Sequence, residues 1–379
     1  MKVLTIISKL EMGGIEKTLL SCLPFFSSKG IEMIILCDQG GKLQSEYESN
    51  GAKIIDFAGY KKPFLDAIKL KKVLKAEKVD IVHSRYGHTS GMFAKVCRSL
   101  NIPFIVSIHN EKAMFKNSWQ GKPVLNFIRN AYLRFHKRLT LKYSSLILGH
   151  SKTNLNYYKD APEVYASKLK VIYNGVDFKK FCSYPNLEKV KMDELEDIKE
   201  KSNKVFVHIG KFKEQKNHTF LIDVFNELKP KENGYYLFLL GEGPGKISIE
   251  QKVCQLDLSN NVLFLGMETN IAPYLKFSDI FFFPSIYEGF GNVLIEAQYM
   301  KLLIAASDIQ PHYEAAYKGY HKFFFNPYDI QDATNKIETL LSVNLESVKD
   351  QAFEFSKNFT IENMSDELFR IYKSCCTNN

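Results

Sequence analysis

Glu288 and Glu296 stand eight residues apart in the segment DIFFFPSIYEGFGNVLIEAQ, residues 279–298. A buried strand ends near Pro284, a turn carries Glu288, Gly289, Phe290, Gly291 and Asn292, and an amphipathic helix follows with Glu296 inside it. Gly289 and Gly291 let the backbone approach a ligand closely, and free N–H groups at the helix N-terminus suit a phosphate. The two carboxylates can face one cleft and accept hydrogen bonds from hydroxyls at the two ends of a sugar nucleotide. The same spacing also fits a plain strand–turn–helix with capping glutamates.

Other chemistries lack their residues. Gly13-Gly14 follows the first strand without G-x-G-x-x-G, which counts against a nicotinamide dehydrogenase. GEGPGKIS at 241–248 misses the phosphate-loop pattern, because Leu240 and Ile247 occupy two of its defining places. There is no HExxH and no Asp-x-Asp, so no metal is expected. His83 and His88 lie five apart with no clear third ligand, and structural roles suit them better. The 7 cysteines form no CxxC pair and fit reduced thiols.

Short β-rich runs alternating with helical stretches must position these residues. Val3–Ser8, Ile31–Asp38, Lys53–Phe57, Asp80–His83, Phe104–His109 and Ser145–His150 read as strands, with helices at Ile15–Phe26 and Pro63–Glu77. After a charge-dense stretch at Asn186–Lys204, read as a linker or exposed helix, the pattern restarts. Val205–Gly210, Tyr236–Gly241, Val262–Gly266, Ile280–Pro284 and Leu303–Ser307 are its strands. Such alternation predicts two doubly wound α/β domains, with a ligand cleft at the C-terminal ends of both sheets. A length of 379 residues with 45% hydrophobic and 25% charged residues accommodates two or three domains. MKVLTIISKL is too short an apolar stretch for a signal peptide, and no apolar run approaches membrane-spanning length.

Several segments together resemble the retaining glycosyltransferases of family four, which have the GT-B fold. PSIYEGFGNVLIEAQ resembles their Glu-x7-Glu signature and EMGGIEKTL (11–19) their glycine-rich first loop. DIVHSR (80–85), SIHN (107–110), VIYNGVD (171–177), GKFKEQKNH (210–218) and LLGEGPGK (239–246) match further segments in the right order. The resemblance implies two Rossmann-like domains facing each other across a cleft: an acceptor-side domain at 1–180 and a nucleotide-sugar domain at 181–355. Residues 356–379 would form a C-terminal helix crossing back to the first domain. It also implies roles. Glu288, His109 and Lys216 would be catalytic, and Gly14, Lys211, Lys216, Phe290, Gly291, Asn292, Val293 and Glu296 would bind the donor. The two lysines would neutralise a departing diphosphate without a metal or any other cofactor. Three positions depart from the family: Lys211 stands where arginine is usual, Lys301 where glycine is usual, and Gln310-Pro311-His312 replaces a glycine pair.

Charge is divided unevenly. Residues 1–180 hold 30 Lys/Arg and 14 Asp/Glu, whereas the remainder holds 21 and 28. Residues 112–142 contain eight Lys/Arg and no Asp/Glu, interleaved with Met114, Phe115, Trp119, Leu125, Phe127, Ile128, Tyr132, Leu133 and Phe135. Together with the lysines of 61–78, this predicts contact with an anionic membrane surface; packing of the same apolar residues into the core is the alternative. No nucleic-acid module is recognisable. The expected protein is a cytoplasmic transferase, peripheral on the inner face of the cell membrane. It would move a sugar, most simply from a UDP-sugar, to a lipid-linked saccharide in surface polysaccharide synthesis. A same-fold enzyme with a soluble acceptor, or a catalytically weak binding subunit, is the alternative.

Overall fold

The computed structural model describes residues 1–57, 63–85, 87, 89–109, 122–181, 189–268 and 270–377. In the N-terminal half, β1 (Lys2–Lys9), β2 (Glu32–Asp38), β3 (Lys53–Asp56), β4 (Ile81–Ser84), β5 (Phe104–Ile108), β6 (Leu146–Gly149) and β7 (Leu169–Val171) form one sheet. Its order is β3-β2-β1-β4-β5-β6-β7, and every pairing is parallel. A second parallel sheet contains β8 (Lys204–Ile209), β9 (Tyr235–Leu240), β10 (Val262–Gly266), β11 (Ile280–Phe283) and β12 (Leu303–Ala306). Its order is β10-β9-β8-β11-β12. Each order reverses once, between β1 and β4 and between β8 and β11. Ligands of doubly wound sheets bind beyond the carboxyl ends of strands at such reversals.

The strands read as unbroken apolar runs because both faces of the sheet are covered. Val3 and Ile7 of β1, with Met33 and Ile35 of β2, face one layer, where Leu19, Cys22 and Phe26 of helix Gly14–Ser28 pack. Leu4, Ile6, Ile34 and Leu36 face the other, against Leu70 and Leu74 of helix Pro63–Glu77 and Phe93 of helix Gly91–Ser99. The period of two in side-chain direction thus feeds two cores from one strand.

The chain forms two compact units: residues 1–175 with 361–379, and residues 176–360. The C-terminal helix Ile361–Thr377 belongs to the first. It buries Met364, Leu368, Ile371 and Tyr372 in the layer that helix Gly14–Ser28 also covers. The unit boundaries lie five residues from the expected 180/181 and 355/356, because Val176 and Thr360 pair with each other inside the second unit.

Two elements differ from expectation. β7 was not anticipated, since it has three residues with Lys170 at its centre and none fully buried. The stretch 186–204 contains helix Lys189–Lys201, which is not simply exposed: Leu195 and Ile198 are buried, and Lys199 pairs with Asp279 at 2.7 Å. The six cysteines among the described residues are all free thiols; Cys182 lies outside them.

Candidate active site

In the second unit, β8 and β11 are parallel neighbours, so the segments following Ile209 and Phe283 emerge at the same sheet edge. Glycines allow the first to fold tightly. A Cβ at Gly241, whose φ is +147°, would fall 2.0 Å from Gly210 O. A Cβ at Gly210 would sit 2.9 Å from Lys216 Cγ, so the lysine side chain lies along the backbone at Gly210. Lys216 Nζ then donates to Glu288 Oε1 at 2.6 Å and stands 4.4 Å from the centre of the Phe283 ring. The two side chains are only 16% and 10% exposed. Gln215 clamps the segments together: its Nε2 donates to Tyr287 O at 3.0 Å, and its carbonyl accepts from Ile286 N at 2.9 Å.

Gly291 follows with φ +104°, a left-handed conformation that favours glycine. It is the N-cap of helix Asn292–Tyr299 and contributes no side-chain capping bond. Phe290 is buried, with its ring centre 5.6 Å from that of Phe359. Asn292, Val293 and Glu296 are half-buried on the helix, and Lys211 is exposed just beyond β8.

The departures from the family pattern are absorbed locally. Lys301 adopts the left-handed conformation usually given to glycine, with φ +59°. Its ammonium pairs with Asp350 at 2.7 Å and lies over the Phe353 ring at 5.3 Å. Pro311 occupies the first turn of helix Gln310–Ala315, where its missing N–H is harmless. His312 is fully buried beneath the site, with its ring 5.1 Å from Phe283 and its Nδ1 2.9 Å from Ser307 O.

Burial keeps His208, His218 and His312 neutral. Desolvation lowers His218 to about 4, helped by the nearby Lys216 charge. His312 also falls to about 4 through burial, although Glu288 pulls the other way. His218 stacks on Phe212 with centroids 4.1 Å apart, and His208 is held by Phe282 O at 2.9 Å.

In the first unit, Gly14 opens helix Gly14–Ser28 and has open space where a Cβ would be. His109 follows β5 and stacks on His150, which follows β6, with ring centroids 4.1 Å apart. Burial pushes His109 well below the usual histidine range, and repulsion from His150, Arg85 and His83 adds to the effect. Burial and Arg85 lower His150 to about 3. His83 is structural: Tyr372 Oη lies 2.7 Å from Nδ1 and Ser107 Oγ 2.8 Å from Nε2. His88 lies outside the described residues.

Sequence reasoning singled out Lys216 and Glu288, and the fold brings them into contact. It placed Phe290, Gly291, Asn292, Val293 and Glu296 together, and they occupy one loop and helix start. His109 and Gly14 belong to the other unit. Gln215, His218 and Arg85 appeared only inside matched segments, and His312 only within the stretch that replaces a glycine pair. Among the described residues, no group of three or more His, Cys, Asp or Glu could hold a metal ion.

The basic helix spans Pro123–Tyr143. His136, Thr140 and Leu141 in its second half are buried, whereas Val124, Leu125, Phe127, Ile128 and Phe135 are exposed. Phe127 is 68% exposed, so the core-packing alternative fails for Leu125, Phe127, Ile128 and Phe135, whereas Tyr132 and Leu133 are half-buried. Helix Pro63–Glu77 exposes Leu65, Ile68 and several lysines. Residues 61–62 and 112–121, with Met114, Phe115 and Trp119, lie outside the described residues. Among the described residues, no helix is long and apolar enough to cross a membrane.

The family model "Glycosyltransferase Family 4" matches residues 12–180, and "Glycosyl transferases group 1" matches residues 192–357. The capsular polysaccharide biosynthesis glycosyltransferase CapH of Staphylococcus aureus is 27% identical over 98% of this chain and 99% of its own. An N-acetylgalactosaminyltransferase of Campylobacter jejuni, named for its N-acetylgalactosamine-N,N'-diacetylbacillosaminyl-diphospho-undecaprenol substrate, is 27% identical over 80% of this chain and 79% of its own. Among solved structures, Anabaena Alr3699/HepE in complex with UDP superposes with a TM-score of 0.80 at 18% identity, covering 99% of this chain and 100% of that one. With two parallel-sheet units and both halves matched, the chain belongs to the GT-B glycosyltransferases of the family-four type.

Proposed function

We propose that this glycosyltransferase moves a hexosyl or N-acetylhexosaminyl group from a UDP-sugar to a lipid-linked saccharide, with retention of anomeric configuration, in surface polysaccharide synthesis. The observation carrying the reading is the Lys216–Glu288 pair at the β8/β11 reversal. Departure of a nucleoside diphosphate leaves an oxocarbenium-like sugar and concentrates negative charge on the leaving group. Fixed cations aimed at that charge lower the barrier most. In this reading, Lys216 exchanges Glu288 for the diphosphate, and Lys211 adds a second cation from the exposed rim. Glu288, released, contacts the transferred sugar, and Glu296 holds the ribose hydroxyls. The N–H groups of Phe290, Gly291 and Asn292 meet the sugar and phosphates beside Val293. The reaction proceeds without a metal, because the lysines supply the charge. His109, kept neutral, offers hydrogen bonds on the acceptor side.

The names of the relatives support the acceptor class: one acts on a diphospho-undecaprenol glycan, and another belongs to capsule synthesis. The UDP complex of the Anabaena protein supports the donor. Exposed apolar residues on a basic helix support a peripheral site on the inner membrane face, with anionic lipid as partner.

The test is a panel of UDP-, GDP- and ADP-sugars, read by thermal shift and hydrolysis with and without EDTA. One UDP-sugar giving EDTA-insensitive turnover, and a product of unchanged anomeric configuration by NMR, is expected. A product of inverted configuration would sink the mechanism. For the membrane, co-sedimentation with phosphatidylglycerol vesicles should fall when Phe127 and Ile128 become serine.

A further inference from the structure

Arg85 is the first residue beyond β4, at the reversal of the N-terminal sheet. Its backbone N–H donates to Ile6 O at 3.0 Å, which fixes it beside β1. The residue is only 5% exposed. Its Nε has no hydrogen-bond partner, and no ion pair reaches it among the described residues. A guanidinium cannot shed its proton as a buried lysine can, so the charge persists. An isolated buried charge is destabilising unless something of opposite sign arrives.

Among the described residues no carboxylate forms an ion pair with it, and Glu16, whose charge like that of Arg85 acts on Tyr47, is turned towards Gly13. His109 and His150, from the ends of β5 and β6, are both neutral, and Arg85 itself helps keep them so. They offer ring nitrogens instead, and His109 Nε2 is enclosed without a partner among the described residues. Helix Gly14–Ser28 starts at the same sheet edge, since β1 and β4 are parallel neighbours. Its N-cap Gly13 supplies no side-chain acceptor, and the Glu16 carboxylate of the first turn lies over Gly13, where a Cβ would fall 2.1 Å from Oε2, so an arriving anion shares a helix N-terminus that already attracts one negative charge.

We propose that Arg85 is the centre of an anion site in the N-terminal unit, and that its ligand is a phosphate or diphosphate group carried by a substrate. The identity of that substrate rests on the transferase reading, in which both the nucleotide donor and the lipid-linked acceptor carry such a group. Arg85 then binds through charge-assisted hydrogen bonds while the neutral imidazoles donate or accept at its flank.

The experiment titrates the full-length wild type, Arg85→Met and Arg85→Lys with inorganic pyrophosphate, with UDP, and with pyrophosphate after UDP saturation. Calorimetry and melting temperature are the readouts. Removing an unpaired charge should leave free Arg85→Met at least as thermostable as wild type, while its anion affinity falls about tenfold or more. Arg85→Lys should keep part of the affinity. Pyrophosphate binding that survives UDP saturation in wild type and vanishes in Arg85→Met assigns the acceptor side. UDP affinity that falls in Arg85→Met with no second pyrophosphate site assigns the donor. Unchanged anion affinity in both variants, with a melting temperature several degrees lower, makes Arg85 a packing residue and overturns the proposal. Should Arg85→Met fail to fold, imidazole resonances decide: those of His109 and His150 must move with pyrophosphate in wild type and less in Arg85→Lys, and immobility in wild type overturns the proposal. Pyrophosphate binding through Arg85 without sugar transfer from any nucleotide sugar leaves the anion site standing and removes the transferase reading alone.

Discussion

Each unit places a largely buried cation at the reversal of its sheet, one after the strand on one side and one after the strand on the other, and the two are treated oppositely. Beyond β8, Lys216 is paired with Glu288 at 2.6 Å. Beyond β4, Arg85 is more deeply buried and has no ion pair among the described residues. One unit carries its own counter-charge, and an incoming anion there must compete with a carboxylate. The other, in the proposal above, gains its ion-pair partner from a ligand. Burial of a charge is therefore not by itself a sign of structural or functional purpose; the partner decides.

The largest break in this comparison comes from Lys216→Ala. It strands Glu288 as a buried unpaired charge and should remove about 3–5 kcal/mol of stability, seen in urea unfolding and in hydrogen exchange of residues 176–360. Turnover should fall about a hundredfold or more. Replacing both Lys216 and Glu288 by methionine should restore stability without turnover. Should Lys216→Ala unfold at the same urea concentration as wild type, the contrast with Arg85 collapses.

Acid sharpens the contrast next. His218 and His312 titrate near 4 when folded, against 6.5 for a free histidine, and His150 near 3. Above pH 6.5 these groups are neutral in both states and cost nothing. As pH falls, the unfolded chain takes up protons that the folded one refuses, so stability declines from pH 6.5 towards 4. His312→Gln should flatten that slope in the second unit. Arg85→Met should flatten it in the first, because the repulsion that helps depress His150 is gone. An unchanged slope in both variants would assign the acid response to other groups.

A smaller effect is expected from Gly291→Ala. Forcing an L-residue to φ +104° costs about 1–2 kcal/mol and should tilt the N–H groups that begin helix Asn292–Tyr299, raising KM for the donor. Smallest is Tyr372→Phe, which removes the hydroxyl 2.7 Å from His83 Nδ1. It should cost about 1 kcal/mol, confined to the first unit by hydrogen exchange.

Much of this fold was legible because strands covered on both faces write themselves as apolar runs, as in Val3–Ile7 and Ile280–Phe283. β7 was illegible for the converse reason: a three-residue, half-buried edge strand leaves no periodicity. In the site, the spacing of Glu288 and Glu296 fitted a capped strand–turn–helix equally, and these two residues and Lys216 stood out through the family resemblance of their segments. The contact between Lys216 and Glu288 was not legible, because it spans a sequence separation of 72 that the pairing of β8 with β11 closes. The tolerance of Lys301 was equally hidden, since Asp350 and Phe353 come from another helix. Arg85 shows the limit most clearly: a residue type can be read from sequence, but the absence of its counter-charge is a property of three dimensions.

The C-terminal helix carries a consequence for how the protein is made. Because Ile361–Thr377 completes the unit built on β1, that unit stays unfinished until the helix has been translated. The intervening unit, by contrast, has Val176 and Thr360 side by side at its ends and can close on itself as soon as it leaves the ribosome. A nascent chain therefore matures from the middle outward. A stop codon that removes Tyr372 injures the unit built from residues 1–175, far from it in sequence.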